Sequence, residues 1–283
     1  IMFMPINYNK YVNISQKIFK MLLKMLPDLK RLSIDEAYAD ISRINASSDI
    51  IAGKIKRNLK KYFDITCSIG VGPNKLIAKM AAGVNKPDGY YFVENKNTGA
   101  FIDSFKISDI WGVGGSSVKK LAEHGIWTAE ELRTAGEERL ENILGVFGKR
   151  LYKAVNGIYD DSAIKKNHDK SISSAITFAY DLCSKYEMYS HIERLSRKIS
   201  VKLEEKLYRA QVVGIVLKNY RLEVKTFRTT LNSPIFSEED IFKHAKRLFD
   251  EHNGGGQPVR LIGVNVSGLV TQTRYEENML MFA

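Results

Sequence analysis

Apolar residues recur at helical spacing over residues 11–26, at Tyr11, Ile14, Ile18, Leu22 and Met25, and Pro27-Asp28 ends that helix. Residues 31–34 and 38–41 predict two short strands with Asp35-Glu36 between them. Ile51, Ile55, Leu59 and Tyr62 mark a second helix, and the β-branched stretch 65–71 predicts a strand. Gly72-Pro73-Asn74 turns the chain into a helix carrying Leu76, Ala78, Met80 and Ala81. Lys86-Pro87-Asp88-Gly89 is a turn, and 90–93 a further strand. Alternating strands and helices predict an α/β layer over residues 1–105.

Residues 106–165 change character. Glycines at 112, 114, 115, 125, 136, 145, 148 and 157 separate short apolar helical stretches, so a small all-helical region is expected. Residues 166–170 fall in a polar stretch that reads as a linker. Residues 171–270 then alternate a strand (171–178), a helix with Ile192, Leu195, Ile199, Leu203 and Leu207 on one stripe, and two strands (212–217 and 222–231). A helix with Ile241, Ala245, Leu248 and Phe249 and a last strand (259–266) complete the region. The order is βαββαβ, a ferredoxin-like split arrangement, with one sheet face on the helices and the other open and carrying Lys225 and Arg228. The fold class is α+β.

Composition adds a partner class. Of 283 residues, 44% are hydrophobic and 27% charged, as in a chain that buries a core. No apolar run has the length of a membrane span, so no membrane partner is expected. Cys67 and Cys183 lack metal-ligand or disulfide spacing, which fits a reducing, cytoplasmic compartment. The net charge is +11, distributed unevenly. Residues 1–105 carry +7 (16 basic against 9 acidic), residues 106–169 zero, residues 170–270 +5 and the tail −1. Two basic lobes flanking a neutral one suggest a polyanionic partner.

Two adjacent carboxylates in a strand-to-strand turn, Asp35 and Glu36, can converge on one point. Converging carboxylates repel unless a cation neutralises them, and Mg2+ characteristically takes one or two carboxylates plus substrate phosphate oxygens. The segment Ser33-Ile34-Asp35-Glu36-Ala37-Tyr38 resembles the signature of the Y-family, DinB/kappa-like translesion DNA polymerases. Cys67-Ser68-Ile69-Gly70-Val71-Gly72-Pro73-Asn74-Lys75, continuing through Lys79 to Asn85-Lys86-Pro87-Asp88-Gly89, is similar to that family's next block, in the family's order and approximate spacing.

The resemblance implies a partial palm (1–105), a thumb with a helix-hairpin-helix (106–165), a linker (166–170), a little finger (171–270) and a tail (271–283). It implies Mg2+ at Asp35 and Glu36, attack of a primer 3′-hydroxyl on the α-phosphate of a deoxynucleoside triphosphate, and a triphosphate contact at Lys86. Lys75 and Lys79, at a helix start and one turn along, either approach nucleotide or DNA phosphate or line a solvated helix face. Asn74 reads as an N-cap. Ile110-Trp111-Gly112-Val113-Gly114-Gly115 resembles a hairpin whose Gly112 and Gly114 let backbone N–H groups meet a DNA phosphate. Lys225 and Arg228 would lie beside a DNA backbone. In the tail, Asn278, Met279, Met281 and Phe282 are similar to the peptide by which bacterial members dock on a sliding clamp, with Asn278 where glutamine is usual; a frayed apolar terminus is the rival reading.

The chain begins at Ile1 rather than Met, and the resemblance starts partway into the family pattern. The family's first strand with its early metal-binding aspartate, and its fingers domain with the steric-gate aromatic, have no counterpart before Asp35. A palm sheet short of a strand, with an exposed edge and a metal site short of a carboxylate, is therefore expected. Two functions follow: lesion-bypass DNA synthesis by a monomer, or a non-catalytic DNA-binding, clamp-docking remnant.

Overall fold

The computed structural model describes residues 4, 6–158, 169–253 and 256–271, and the clamp-like residues Asn278, Met279, Met281 and Phe282 lie outside them. The chain forms two compact units, residues 1–163 and 164–283. Among the described residues no helix is long and apolar enough to cross a membrane.

The first unit opens with α1 (Tyr8–Leu23), whose start is capped by the Asn7 side chain accepting from the Lys10 N–H at 3.1 Å. Phe19 and Leu22 bury its apolar stripe. Strands β1 (Lys30–Arg31) and β2 (Ala37–Tyr38) pair antiparallel on either side of the acidic turn. They are shorter than the apolar pattern predicts because the backbone N–H groups of Asp35 and Glu36 turn to the Ser33 hydroxyl instead of a neighbouring strand. After α2 (Ser48–Phe63), β3 (Ile69–Val71) and β4 (Tyr90–Phe92) pair in parallel, joined by α3 (Lys75–Val84). This is the βαβ crossover that the alternating pattern predicts. Each two-stranded sheet leaves edges unpaired among the described residues.

Helix α3 can lie directly on β3 because position 70 is glycine. A Cβ there would stand 2.1 Å from the Ala78 carbonyl oxygen and 2.2 Å from the Ala82 nitrogen. Five short helices follow: α4 (Thr98–Asp103), α5 (Gly115–Glu123), α6 (Ala129–Thr134), α7 (Glu137–Leu144) and α8 (Val146–Val155). One apolar core unites Ile77 and Met80 of α3 with Ile102, Leu121, Leu132 and Leu151, so burial is continuous across residue 105. The Asn74 side chain ties the two parts further. It caps α3 by accepting from the Ile77 N–H at 3.0 Å and donates to the Ala154 carbonyl, near the end of α8, at 2.8 Å.

The second unit runs β5 (Ser171–Leu182), α9 (Lys185–Glu205), β6 (Tyr208–Asn219), β7 (Val224–Ile235), α10 (Glu238–His252) and β8 (Val259–Thr271). Ser184 and Ser237 cap the two helices. The antiparallel sheet has the order β5-β8-β6-β7, which splits both βαβ pairs as expected. The second and fourth strands are central, however, where the ferredoxin-like order has the first and third. Ile192, Leu195, Ile199 and Leu203 are buried against Val213, Ile215, Val264 and Val266. Leu207, placed on the helical stripe by its spacing, instead lies beyond the end of α9 with φ of +53° and is exposed.

Candidate active site and nucleic-acid interface

The acidic turn is organised by Ser33. Its hydroxyl donates to the Asp35 carboxylate and accepts from the Glu36 N–H at 3.1 Å, while the Leu32 and Ser33 N–H groups donate to the Glu36 carbonyl at 2.9 and 3.2 Å. Asp35 is exposed and Glu36 half-buried. Oε1 of Glu36 is ion-paired with Nζ of Lys79 on α3. This contact joins the first sequence motif to the second across 43 residues. Lys79 thus faces the acidic turn, a contact that neither sequence alternative, a phosphate or a solvated helix face, had named. Tyr38, two residues beyond Glu36, has a buried hydroxyl without a hydrogen-bond partner among the described residues. Burial, and then the Glu36 charge, push its phenol pKa up.

The donor set fits a hard divalent cation as a contributor of two oxygens: one carboxylate is exposed, and the other is already neutralised by a cation at one oxygen only. Among the described residues no group of three His, Cys, Asp or Glu side chains gathers for a metal.

Lys75 begins α3 half-buried, and Lys86 stands exposed in its turn. No hydrogen bond or ion pair links either to the acidic pair among the described residues. The Lys86 turn is held from outside: Lys56 of α2 pairs with the Asp88 carboxylate at 3.0 Å, and the Gly89 N–H donates to the Ser68 hydroxyl at 3.3 Å. Cys67 sits beside this turn, where burial raises its thiol pKa.

At the hairpin, Gly112 has φ of +93°, a conformation that L side chains rarely adopt, with the Phe147 ring against it. Gly114 is the N-cap of α5 and supplies no side-chain cap, so the helix presents bare amides. A Cβ on Gly114 would meet nothing within 4 Å, and the loop is therefore open to an approaching backbone.

The sheet of the second unit corrects one expectation. Arg228 pairs with Gly214 on the helix-free face, whereas Lys225 pairs with Leu217, whose side chain is buried on the helix-bearing face. A spacing of three in a strand of period two puts the two cations on opposite faces. The helix-free face carries Arg228, Thr226 and Thr230 of β7 beside Lys218, Asn265 and Ser173. The hydroxyl, amide and cationic groups of this face extend over all four strands. Lys218, Asn265 and Ser173 escaped the sequence reading because only the strand register aligns them. The signal for Ser33, a hydroxyl two residues before an aspartate in a turn, was present in the sequence.

Comparison with known proteins agrees with this architecture. The model of the impB/mucB/samB family matches residues 1–83, and that of the impB/mucB/samB family C-terminal domain matches residues 169–279. The DNA polymerase IV of Desulfatibacillum aliphaticivorans is 32% identical over 272 residues, covering 95% of this chain and 69% of that protein. The DNA polymerase IV of Staphylococcus aureus strain JH9 is 31% identical over 284 residues, covering 99% of this chain and 79% of that protein. Among solved structures, the Y-family DNA polymerase chimera Dbh-Dpo4(243-245)-Dbh superposes with a TM-score of 0.79 at 22% identity, over 95% of this chain and 79% of that one. An insertion ternary complex of Dbh DNA polymerase gives 0.56 at the same identity and coverage.

The fold is that of the Y-family polymerase structures, and the sequence relatives that share it place the chain among DNA polymerases of the lesion-bypass class. The chain belongs to the Y family of DNA polymerases, with DNA polymerase IV proteins as its relatives. Its enzymatic class is DNA-directed DNA polymerase.

Proposed function

We propose that the chain carries out Mg2+-dependent, template-directed DNA synthesis past damaged bases, with Asp35 and Glu36 as metal-holding residues. The observation that carries this reading is the Glu36–Lys79 ion pair, which sets the acidic turn against the helix that begins at Asn74 and Lys75. When bound, Mg2+ neutralises phosphate charge and favours the nucleophilic form of the primer hydroxyl. Ser33 holds the Asp35 carboxylate and the turn amides in place. Lys75 and Lys86, without ion pairs among the described residues, bind phosphate oxygens as positioned cations. The hairpin at Gly112 and Gly114 and the Arg228 face hold the duplex through its backbone, independently of sequence.

In this reading the partners are primer–template DNA, a deoxynucleoside triphosphate and, through Asn278, Met279, Met281 and Phe282, a sliding clamp; the protein acts as a cytoplasmic monomer. The test is primer extension on a template with a damaged base. Asp35→Asn and Glu36→Gln should each lower the rate on the order of 10²-fold or more while leaving DNA affinity nearly unchanged. Undiminished extension by both variants would sink the metal role. DNA binding by the wild-type chain without extension would favour a DNA-binding, clamp-docking role instead.

A further inference from the structure

We propose that Lys79 is a built-in counter-cation for Glu36, one that a divalent cation must displace before it can use that carboxylate fully. This inference rests on the metal role of Asp35 and Glu36 given above.

Three observations carry it. Among the described residues Lys79 pairs only with Oε1 of Glu36, at side-chain exposures of 25% and 39%, so the pair is partly withdrawn from water yet reachable. Lys79 is anchored from behind: its helix buries Leu76, Ile77, Met80 and Ala81 and rests against Gly70. The ammonium is therefore delivered to the acidic turn by a rigid element and not by a wandering surface chain. Finally, Lys75 stands one turn earlier on the same face of α3 with no ion pair among the described residues.

The physical consequence is an exchange. A lysine on Glu36 keeps two neighbouring carboxylates from repelling each other in the absence of metal. It also opposes metal entry, because a unit positive charge about 6 Å from a divalent cation disfavours it roughly tenfold even in a water-like dielectric. Once a divalent cation takes Glu36, the Lys79 ammonium is released beside Lys75. Two lysines at i and i+4 then present a paired cationic face to a phosphate group. Metal and phosphate thus favour each other's arrival, and the acidic turn stays neutralised between them.

The test is Mn2+ binding to the full chain, followed by the electron paramagnetic resonance signal of free Mn2+ at low ionic strength. Lys79→Met should bind Mn2+ roughly tenfold more tightly than wild type. Lys79→Arg should keep the wild-type affinity, and the comparison uses Lys79→Met protein whose circular dichroism spectrum and melting transition match wild type. Glu36→Gln should bind more weakly, and adding Lys79→Met to it should give a smaller gain than in wild type, because the ammonium is no longer held beside the site by its ion pair. Lys79→Met binding no more tightly than wild type, whatever the wild-type affinity, overturns the inference. If Glu36→Gln weakens Mn2+ binding while Lys79→Met changes nothing, only the counter-cation fails. If neither Glu36→Gln nor Asp35→Asn weakens binding, the metal role itself fails. A second readout is the acylation rate of Lys79, followed by mass spectrometry. It should rise when Mn2+ is added to wild type and be high from the start in Glu36→Gln; an unchanged rate in both cases also overturns the proposal.

Discussion

Adding one methyl group at position 70 tests how α3 is held over the acidic turn. In Gly70→Ala the new Cβ would lie 2.1 Å from the Ala78 oxygen and 2.2 Å from the Ala82 nitrogen. Ordinary contact needs about 3.5 Å, so the helix must retreat by about 1 Å or more, and the obstructing atoms are backbone that cannot rotate away. Overpacking of this kind typically costs about 1–3 kcal/mol, and rigid backbone neighbours place Gly70→Ala toward the upper end. In a unit of this size each kcal/mol lowers the melting midpoint by about 2–4 °C, so a fall of roughly 6–12 °C is expected. The assay is differential scanning calorimetry of the full chain, with the transition of the first unit followed against that of the second. Gly83→Ala, on the same helix but with nothing within 4 Å of its Cβ, is the control and should not lower the midpoint. The retreat would also draw Lys79 away from Glu36, so Gly70→Ala should move Mn2+ affinity in the direction of Lys79→Met. A Gly70→Ala protein melting within about 1 °C of wild type would refute the claim that backbone contact at Gly70 sets the helix position.

Two further outcomes are expected. Arg228→Ala should weaken duplex binding and reduce the salt dependence by about one counterion, whereas Lys225→Ala, on the opposite face, should do markedly less; equal losses in a fluorescence-anisotropy salt series would contradict the register. Burial alone would raise the pKa of Asp250, but hydrogen bonds from Lys185 and Tyr189 outweigh it and hold the carboxyl below its usual value. A carboxyl depressed in the folded state contributes stability above its unfolded pKa, near 3.9, and loses it as pH falls through the folded one. Urea midpoints of the second unit should therefore drop below about pH 4 in wild type and drop less steeply in Asp250→Asn.

Periodicity and turn chemistry act over a few residues, and what depends on them could be read directly. The stripes of α9 and α10, the cap at Asn74, the βαβ crossover around α3 and the βαββαβ order all followed from local spacing. The two motifs that point to polymerase chemistry were legible through their resemblance to a known family, while the Ser33–Asp35 contact inside the first of them is local to its turn. Leu207 shows the limit: its spacing fits the stripe of α9, but the helix ends first.

Other features depend on what a residue meets across the fold. Lys79 had two open readings in the sequence, and only the packing of α3 on β3 turned its ammonium to Glu36. The central placement of β6 and β8, and with it the alignment of Lys218, Asn265 and Ser173 beside Arg228, depends on strand order, which local pattern does not encode. The continuity of the core across residue 105 is likewise a property of contacts between distant segments. The sequence by itself determined which elements form and which chemical groups they carry. Tertiary structure decided which of those groups face one another, because burial and charge pairing act between residues that the chain keeps far apart.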